Sequence, residues 1–243
     1  MNKTLTSVAI AGLMAVTPAA FADVELSGNI ALTTDYVYRG ISQTDEGPAV
    51  QGGFDLEHSS GFYAGVWASN VDFVDDSQTS IEIDYYLGVG GEFSNKIGWD
   101  VGAIYYNYPS SDACDDIDCD FTELNGHLSY DFGPAAVTFG LNYSSDFFAS
   151  SGDSLYTTLD VDVPLPNGFA LGLHYGDQSI DENDSFGTPD YNDWKIGLSK
   201  SWGGFDFALD YTDTDLSESE CFGGAQFGDL CDGRGLLTIS KSL

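Results

Sequence analysis

From Val24 onward, apolar and polar residues alternate in segment after segment, with no long helical period between them. Val24, Leu26, Ile30 and Leu32 share one face, while Glu25, Ser27, Asn29, Thr33 and Asp35 share the other. A period of two marks a strand with one apolar and one polar side. A slip of one residue would exchange the sides, so the register is strongly specified. The rhythm returns in Val50, Phe54 and Leu56 against Gln51, Asp55 and Glu57, and in Ile81, Ile83, Tyr85 and Leu87 against Glu82 and Asp84. It runs on through segments centred near Trp99, Leu128, Phe139, Leu159, Leu173, Ile196 and Leu209, and ends with Leu237, Ile239 and Leu243. Residues 62–71 read as a strand whose sides the pattern leaves unassigned. The total is about twelve strands, each long enough for the ~9–11 residues a tilted transmembrane strand requires.

The connections sort into two kinds. Ser59-Ser60-Gly61, Ser94-Asn95-Lys96, Gly133-Pro134, residues 164–168 and Trp202-Gly203-Gly204 are short and carry Gly, Pro or Asn, the residues of tight reversals. Residues 39–48, 70–79, 109–120, 146–153, 177–190 and 213–234 are long. Short and long alternate strictly. That predicts an all-β, transmembrane, antiparallel up-and-down β-barrel over residues 23–243, with short periplasmic turns, long extracellular loops and both termini periplasmic. A soluble sandwich or lipocalin-like barrel shares the alternation, but leaves the loop lengths to accident. In lipid, a closed barrel pairs every backbone group without an edge. Its exterior then takes Val, Ile, Leu and Phe, with Tyr and Trp toward the headgroups.

Ahead of the first strand, Lys3, the apolar run 5–16 and Ala20-Phe21-Ala22 read as a secretory signal peptide over residues 1–22. The run is shorter than the ~20 residues of a membrane-spanning helix.

Charge sharpens the picture. Seven Lys and Arg stand against 39 Asp and Glu, a formal net charge of −32. Nucleic acid is excluded as a partner, because phosphates need basic side chains. The expected partners are outer-membrane lipid, the barrel-assembly machinery, and small solutes or cations. Asp55, Glu82, Asp84, Asp100, Glu123, His127, Asp160, His174, Lys195, Asp206 and Asp210 fall on the inward side and are the candidate pore-lining residues. Glu25, Asp35, Glu57, Asp131, Asp162 and Asp193 share that side. Carboxylate rings favour cation passage. With so few bases inside, most of these acids must be hydrated or partly protonated, which calls for a wet lumen. Inward glycines would leave room for solute, with Gly52 facing lipid instead.

Arg39 stands at the end of the first strand, at a mouth that includes Asp45 and Glu46. Two roles fit. It ties the first hairpin by hydrogen bonds to carboxylates or loop carbonyls, to which its planar fork is suited, or it lines the pore and tunes selectivity.

Catalysis finds little support. His127 and Ser129 share a strand side, but a triad needs a third group in contact, and there is no GxSxG elbow. No cofactor or metal is expected. Cys114, Cys119, Cys221 and Cys231 all fall in long loops. Three connectivities are open, of which Cys114–Cys119 with Cys221–Cys231 is the simplest. A metal site is the alternative, but CDDIDC lacks histidine and zinc spacing. Asp75-Asp76, Asp115-Asp116, Asp118 and Asp181-Glu182 form no calcium-loop pattern.

The stretch DYVYRGISQTDEGPAVQGGFDLEHSSGFYAGVWASNVDF, residues 35–73, resembles the N-terminal motif of the TorF family of porins. YRGISQ, PAVQGGFD and GFYAGVWASNV carry the likeness. The remainder agrees in strand rhythm and acidity. The resemblance implies an outer-membrane channel without naming its cargo. The chain ends in Leu243, where many outer-membrane barrels end in Phe.

The expected function is a porin-like diffusion channel for small solutes, preferring cations because its lumen is acidic. The alternative is a non-conducting surface protein that uses acidic, disulfide-stapled loops for adhesion or ion binding. A barrel of this size gives a narrow pore, and a long loop folded inward, such as residues 213–234, would constrict or plug it.

Overall fold

The computed structural model describes residues 23–73, 79–109, 119–224 and 226–243. Twelve long strands are β1 (Val24–Thr33), β4 (Ala49–His58), β5 (Phe62–Asn70), β6 (Ile81–Glu92), β7 (Gly98–Asn107), β8 (Phe121–Asp131), β9 (Ala136–Ser144), β10 (Ser154–Pro164), β11 (Phe169–Ile180), β12 (Tyr191–Trp202), β13 (Phe205–Thr214) and β14 (Arg234–Ser242). Each pairs antiparallel with its sequence neighbour, and β1 closes the ring on β14. β2 (Val37–Tyr38) and β3 (Ile41–Ser42) form a separate two-stranded hairpin. The strands have the length a tilted crossing requires.

Period two sets the two sides of the wall. Leu32, Phe54, Phe62, Leu87, Leu124 and Leu209 are all more than half exposed on the outside. Water would penalise so continuous an apolar band, and lipid does not. Lys200 lies over Phe169 at 4.4 Å and Lys241 over Phe205 at 5.1 Å, near the short-turn end where long basic side chains reach headgroups. In β5, the cross-strand bond from Tyr63 to Asp100 turns Tyr63, Gly65, Trp67 and Ser69 inward.

Most inward glycines do not leave open space, Gly172 excepted, where a Cβ would meet only Asp162 at 3.7 Å. Tyr63 lies over Gly88 and Tyr86 over Gly65, two direct cross-strand pairs of β5 and β6. Tyr156 covers Gly176, His127 covers Gly140 and Asp210 covers Gly197. A large side chain fills the gap its neighbour's glycine makes, so the expected room for solute at these positions is occupied.

Two buried apolar clusters lie at the long-loop end. One joins Tyr106, Tyr108, Cys119, Phe121, Phe147 and Ile180. The other joins Ile41, Tyr191, Cys221, Leu230 and Cys231. Cys221 and Cys231 are disulfide-bonded with Cα atoms 5.9 Å apart, and Cys119 is also in a disulfide. Cys114 lies outside the described residues, as do Asp75-Asp76 and the run 115–118.

Candidate functional site: a closed mouth above an acidic lumen

The first long connection does not stay at the rim. It leaves β1, enters the barrel and crosses to the opposite wall. Tyr36 donates to Glu82 on β6 at 2.7 Å and meets Trp67 edge-on. The β2–β3 hairpin then turns at Arg39 and Gly40, with φ of 48° and 80°. A two-residue hairpin with both central φ positive favours Asn, Asp or Gly first. An arginine there costs about 1 kcal/mol of backbone strain. Gly40 is required twice over, because a Cβ would stand 2.9 Å from the Asp193 Cβ and collide with Thr214.

The Arg39 side chain repays that strain. Its Nη2 donates to both Glu123 oxygens at 2.6 Å, and Nη1 donates to Gln178 Oε1 at 2.6 Å. Its guanidinium carbon lies 4.2 Å from the Tyr156 ring centre, 4.7 Å from Tyr38 and 5.6 Å from Phe147. Arg39 and Glu123 side chains are 6% and 1% exposed. Burial works against the charge, and the Glu123 carboxylate together with the neighbouring Tyr38 and Tyr106 works for it, with the net effect that the Arg39 pKa is raised. Gln178 is held in turn by its bond to Ser154 at 2.7 Å, and Glu123 also accepts from Tyr106 at 3.2 Å.

A second arginine staples the base of the hairpin. Asp35 accepts from Ser42 and Thr44 at 2.8 Å each, and from Arg234 on β14 at 2.9 Å. Arg234 also pairs with Glu46 at 3.3 Å and donates to the Asp229 and Asp232 carbonyls. The segment 35–44 therefore touches walls around most of the ring and fills the long-loop half of the lumen.

Below this layer the inward side is polar, and its charged side chains are partly exposed. His174 stands between Asp160 at 2.7 Å and Asp193 at 3.2 Å, with Tyr156 Oη 2.9 Å from Nε2. Tyr156 donates to Asp193 at 2.7 Å. His127 is 3.8 Å from Asp100, which accepts from Tyr63. Tyr86 bonds Asp55, and Ser201 bonds Asp206. Lys195 is exposed into this space, and among the described residues it is the one Lys or Arg on the inward side of this half.

The inward candidates thus separate by height. Asp55, Asp100, His127, Asp160, His174, Lys195, Asp206 and Asp210 lie in the lower lumen. Glu82, Asp84 and Glu123 are buried against the hairpin, where the expectation of a wet lumen fails because protein fills the space. Arg39 is not at the rim. It bonds a carboxylate, as one of its two expected roles required, but across the barrel, while Glu46 is taken by Arg234. The constricting loop is the first one rather than residues 213–234 alone. Gln178, Tyr156, Phe147 and Arg234 are site residues that pattern reading missed. Their visible signal was position, at strand ends or in loops bordering the long-loop side.

No curated protein matches the chain. Among solved structures, it superposes on the KdgM porin with a TM-score of 0.60 at 9% identity, covering 89% of this chain and 99% of that one. The NanC porin gives 0.57 at 8% identity, covering 88% and 97%. An outer-membrane channel from Pseudomonas putida F1 gives 0.52 at 12% identity, covering 94% and 99%. Such identities establish the fold, an outer-membrane porin-type barrel. A family model matches residues 17–243, and the chain belongs to that family, described as bacterial protein of unknown function (Gcw_chp).

Proposed function

We propose that the protein is an outer-membrane diffusion channel for small solutes, with a preference for cations, and that the TorF likeness reflects this role. The observation that carries the reading is the lower lumen. Asp55, Asp100, Asp160, Asp206 and Asp210 face one lysine inside a barrel whose outside is apolar. Carboxylates in a narrow polar tube lower the energy of a cation and raise that of an anion. The KdgM porin has been seen in complex with oligogalacturonate, a polyanion. This lumen would repel such a cargo, so the two channels differ in what they pass. In the closed form the hairpin fills the mouth, and conduction requires it to withdraw.

The test is a planar bilayer under a KCl gradient with refolded full-length protein. Discrete steps with a cation-selective reversal potential are expected, and Asp55→Asn with Asp206→Asn and Asp210→Asn should move the reversal toward zero. A heat-modifiable, correctly folded barrel that never conducts, even with the hairpin latch broken, refutes the channel. That outcome would favour a non-conducting surface protein, a reading to which the packed mouth and its Cys221–Cys231 loop lend support.

A further inference from the structure

The groups around the Arg39 guanidinium have the form of a receptor. Glu123 belongs to β8, Tyr156 to β10 and Gln178 to β11, all parts of the barrel wall. Phe147 comes from the loop between β9 and β10. Apart from Tyr38, nothing that holds the guanidinium comes from the hairpin that delivers it. The wall groups are oriented without it, Gln178 by Ser154 and Glu123 by Tyr106. They offer a bidentate carboxylate, an amide oxygen and aromatic rings at 4.2 and 5.6 Å from the guanidinium carbon. That set matches a planar cation with two terminal nitrogens, one of which takes both carboxylate oxygens and the other the amide oxygen, while its plane meets rings. A spherical ammonium has no second nitrogen for the amide oxygen and no plane to lay against the rings. The arginine itself sits at a strained turn position, φ 48°, which a purely structural hairpin would fill with Asn, Asp or Gly.

We propose that this wall pocket is a binding site for small guanidinium-bearing cations, and that Arg39 occupies it in the closed form as the chain's own competitor. That such cations are also solutes of the channel rests on the channel reading above. Binding itself does not.

The test removes the internal ligand and supplies an external one. Arg39→Gly suits the positive φ and empties the pocket. Titration calorimetry on the full-length variant in detergent micelles, with methylguanidinium chloride at constant ionic strength, should show saturable one-to-one binding. Methylammonium should bind at least about tenfold more weakly, and Arg39→Gly with Glu123→Gln should lose methylguanidinium affinity by at least about tenfold. Equal weak binding of both cations, or no loss in the double variant, overturns the site. Should Arg39→Gly fail to fold, the readout becomes refolding yield. Methylguanidinium at tens of millimolar must then restore folding where methylammonium does not, and failure to do so overturns the site equally. Bilayer recording of the same proteins separates the two readings. Binding without conductance in any variant retires the channel and keeps the site, whereas conductance without selective binding does the reverse.

Discussion

Glu123→Gln removes one charge from the latch and leaves every strand intact. In the closed form Arg39 would then be an unbalanced cation, buried beside a neutral amide. Breaking a buried pair by removing one partner costs about 3–5 kcal/mol. The Gln178 bond and the three rings remain, which argues for the lower end, about 3 kcal/mol. At about 1.4 kcal/mol per decade, the population with Arg39 withdrawn rises roughly a hundredfold. Trypsin reads this directly, because it cuts after basic residues and Arg39–Gly40 is sheltered in the barrel. When reclosing outpaces cleavage, the cutting rate tracks the open population. Lys96 lies exposed in the turn between β6 and β7 and serves as an internal clock. The expected result is cleavage after Arg39 about a hundredfold faster, with cleavage after Lys96 unchanged. Rates at Arg39 within about threefold of wild type would refute the latch.

Arg234→Ala strips Asp35 and Glu46 of their cation and leaves Asp35 buried. It should loosen the hairpin base by about 3 kcal/mol, read as faster amide exchange at residues 35–44 with the strands unaltered. Reducing the Cys221–Cys231 bond frees a loop of sequence separation 10, worth about 3 kcal/mol of chain entropy. Proteolysis within residues 215–233 should accelerate while the barrel remains heat-modifiable. Gly88→Val puts a branched side chain against the Tyr63 ring and the Val101 carbonyl. It should cost about 1–3 kcal/mol in the urea midpoint and release Asp100 from its tyrosine, whereas Gly126→Ala, with nothing closer than 3.9 Å, should be close to neutral.

The barrel was legible because lipid leaves so little choice. One side of every strand must be apolar, the other touches water or protein, and the register cannot slip without exchanging them. Loop lengths then fixed which end was which. The closed mouth was not legible, for a physical reason. Tyr36, Tyr38 and Arg39 suit a rim loop as well as an inserted one, and Arg39 occupies a turn position that its residue type disfavours. Glu123 and Asp100 look alike in sequence, two acids on inward sides of neighbouring strands. Their difference is height. Glu82, Asp84, Glu123 and Asp193 lie within four residues of the long-loop end of their strands, whereas Asp55, Asp100, Asp160 and Asp206 lie deeper. Counting from the long loop would have sorted them. What fills the space at that height depends on where one loop goes, and contacts of such sequence distance leave no local pattern.

The two arginines of the mouth do different work, and energetics separates them. When the hairpin withdraws, Arg39 and Glu123 both return to water. A buried pair then exchanges its mutual attraction for two hydration shells, an exchange that is near balance in proteins. The ion pair therefore sets where the hairpin seats more than how tightly it holds. The tightness comes from Ile41 against the Cys221–Cys231 cluster and from Tyr38 beside Tyr106, apolar surface that gains by leaving water. At the base, Asp35 bonds Ser42, Thr44 and Arg234, and those bonds need not break for the tip to move. A hairpin anchored at its root, seated by a charge pair near balance and held by a few apolar contacts can open without unfolding the barrel. A latch of that kind is sensitive to a planar cation that can take the seat of Arg39.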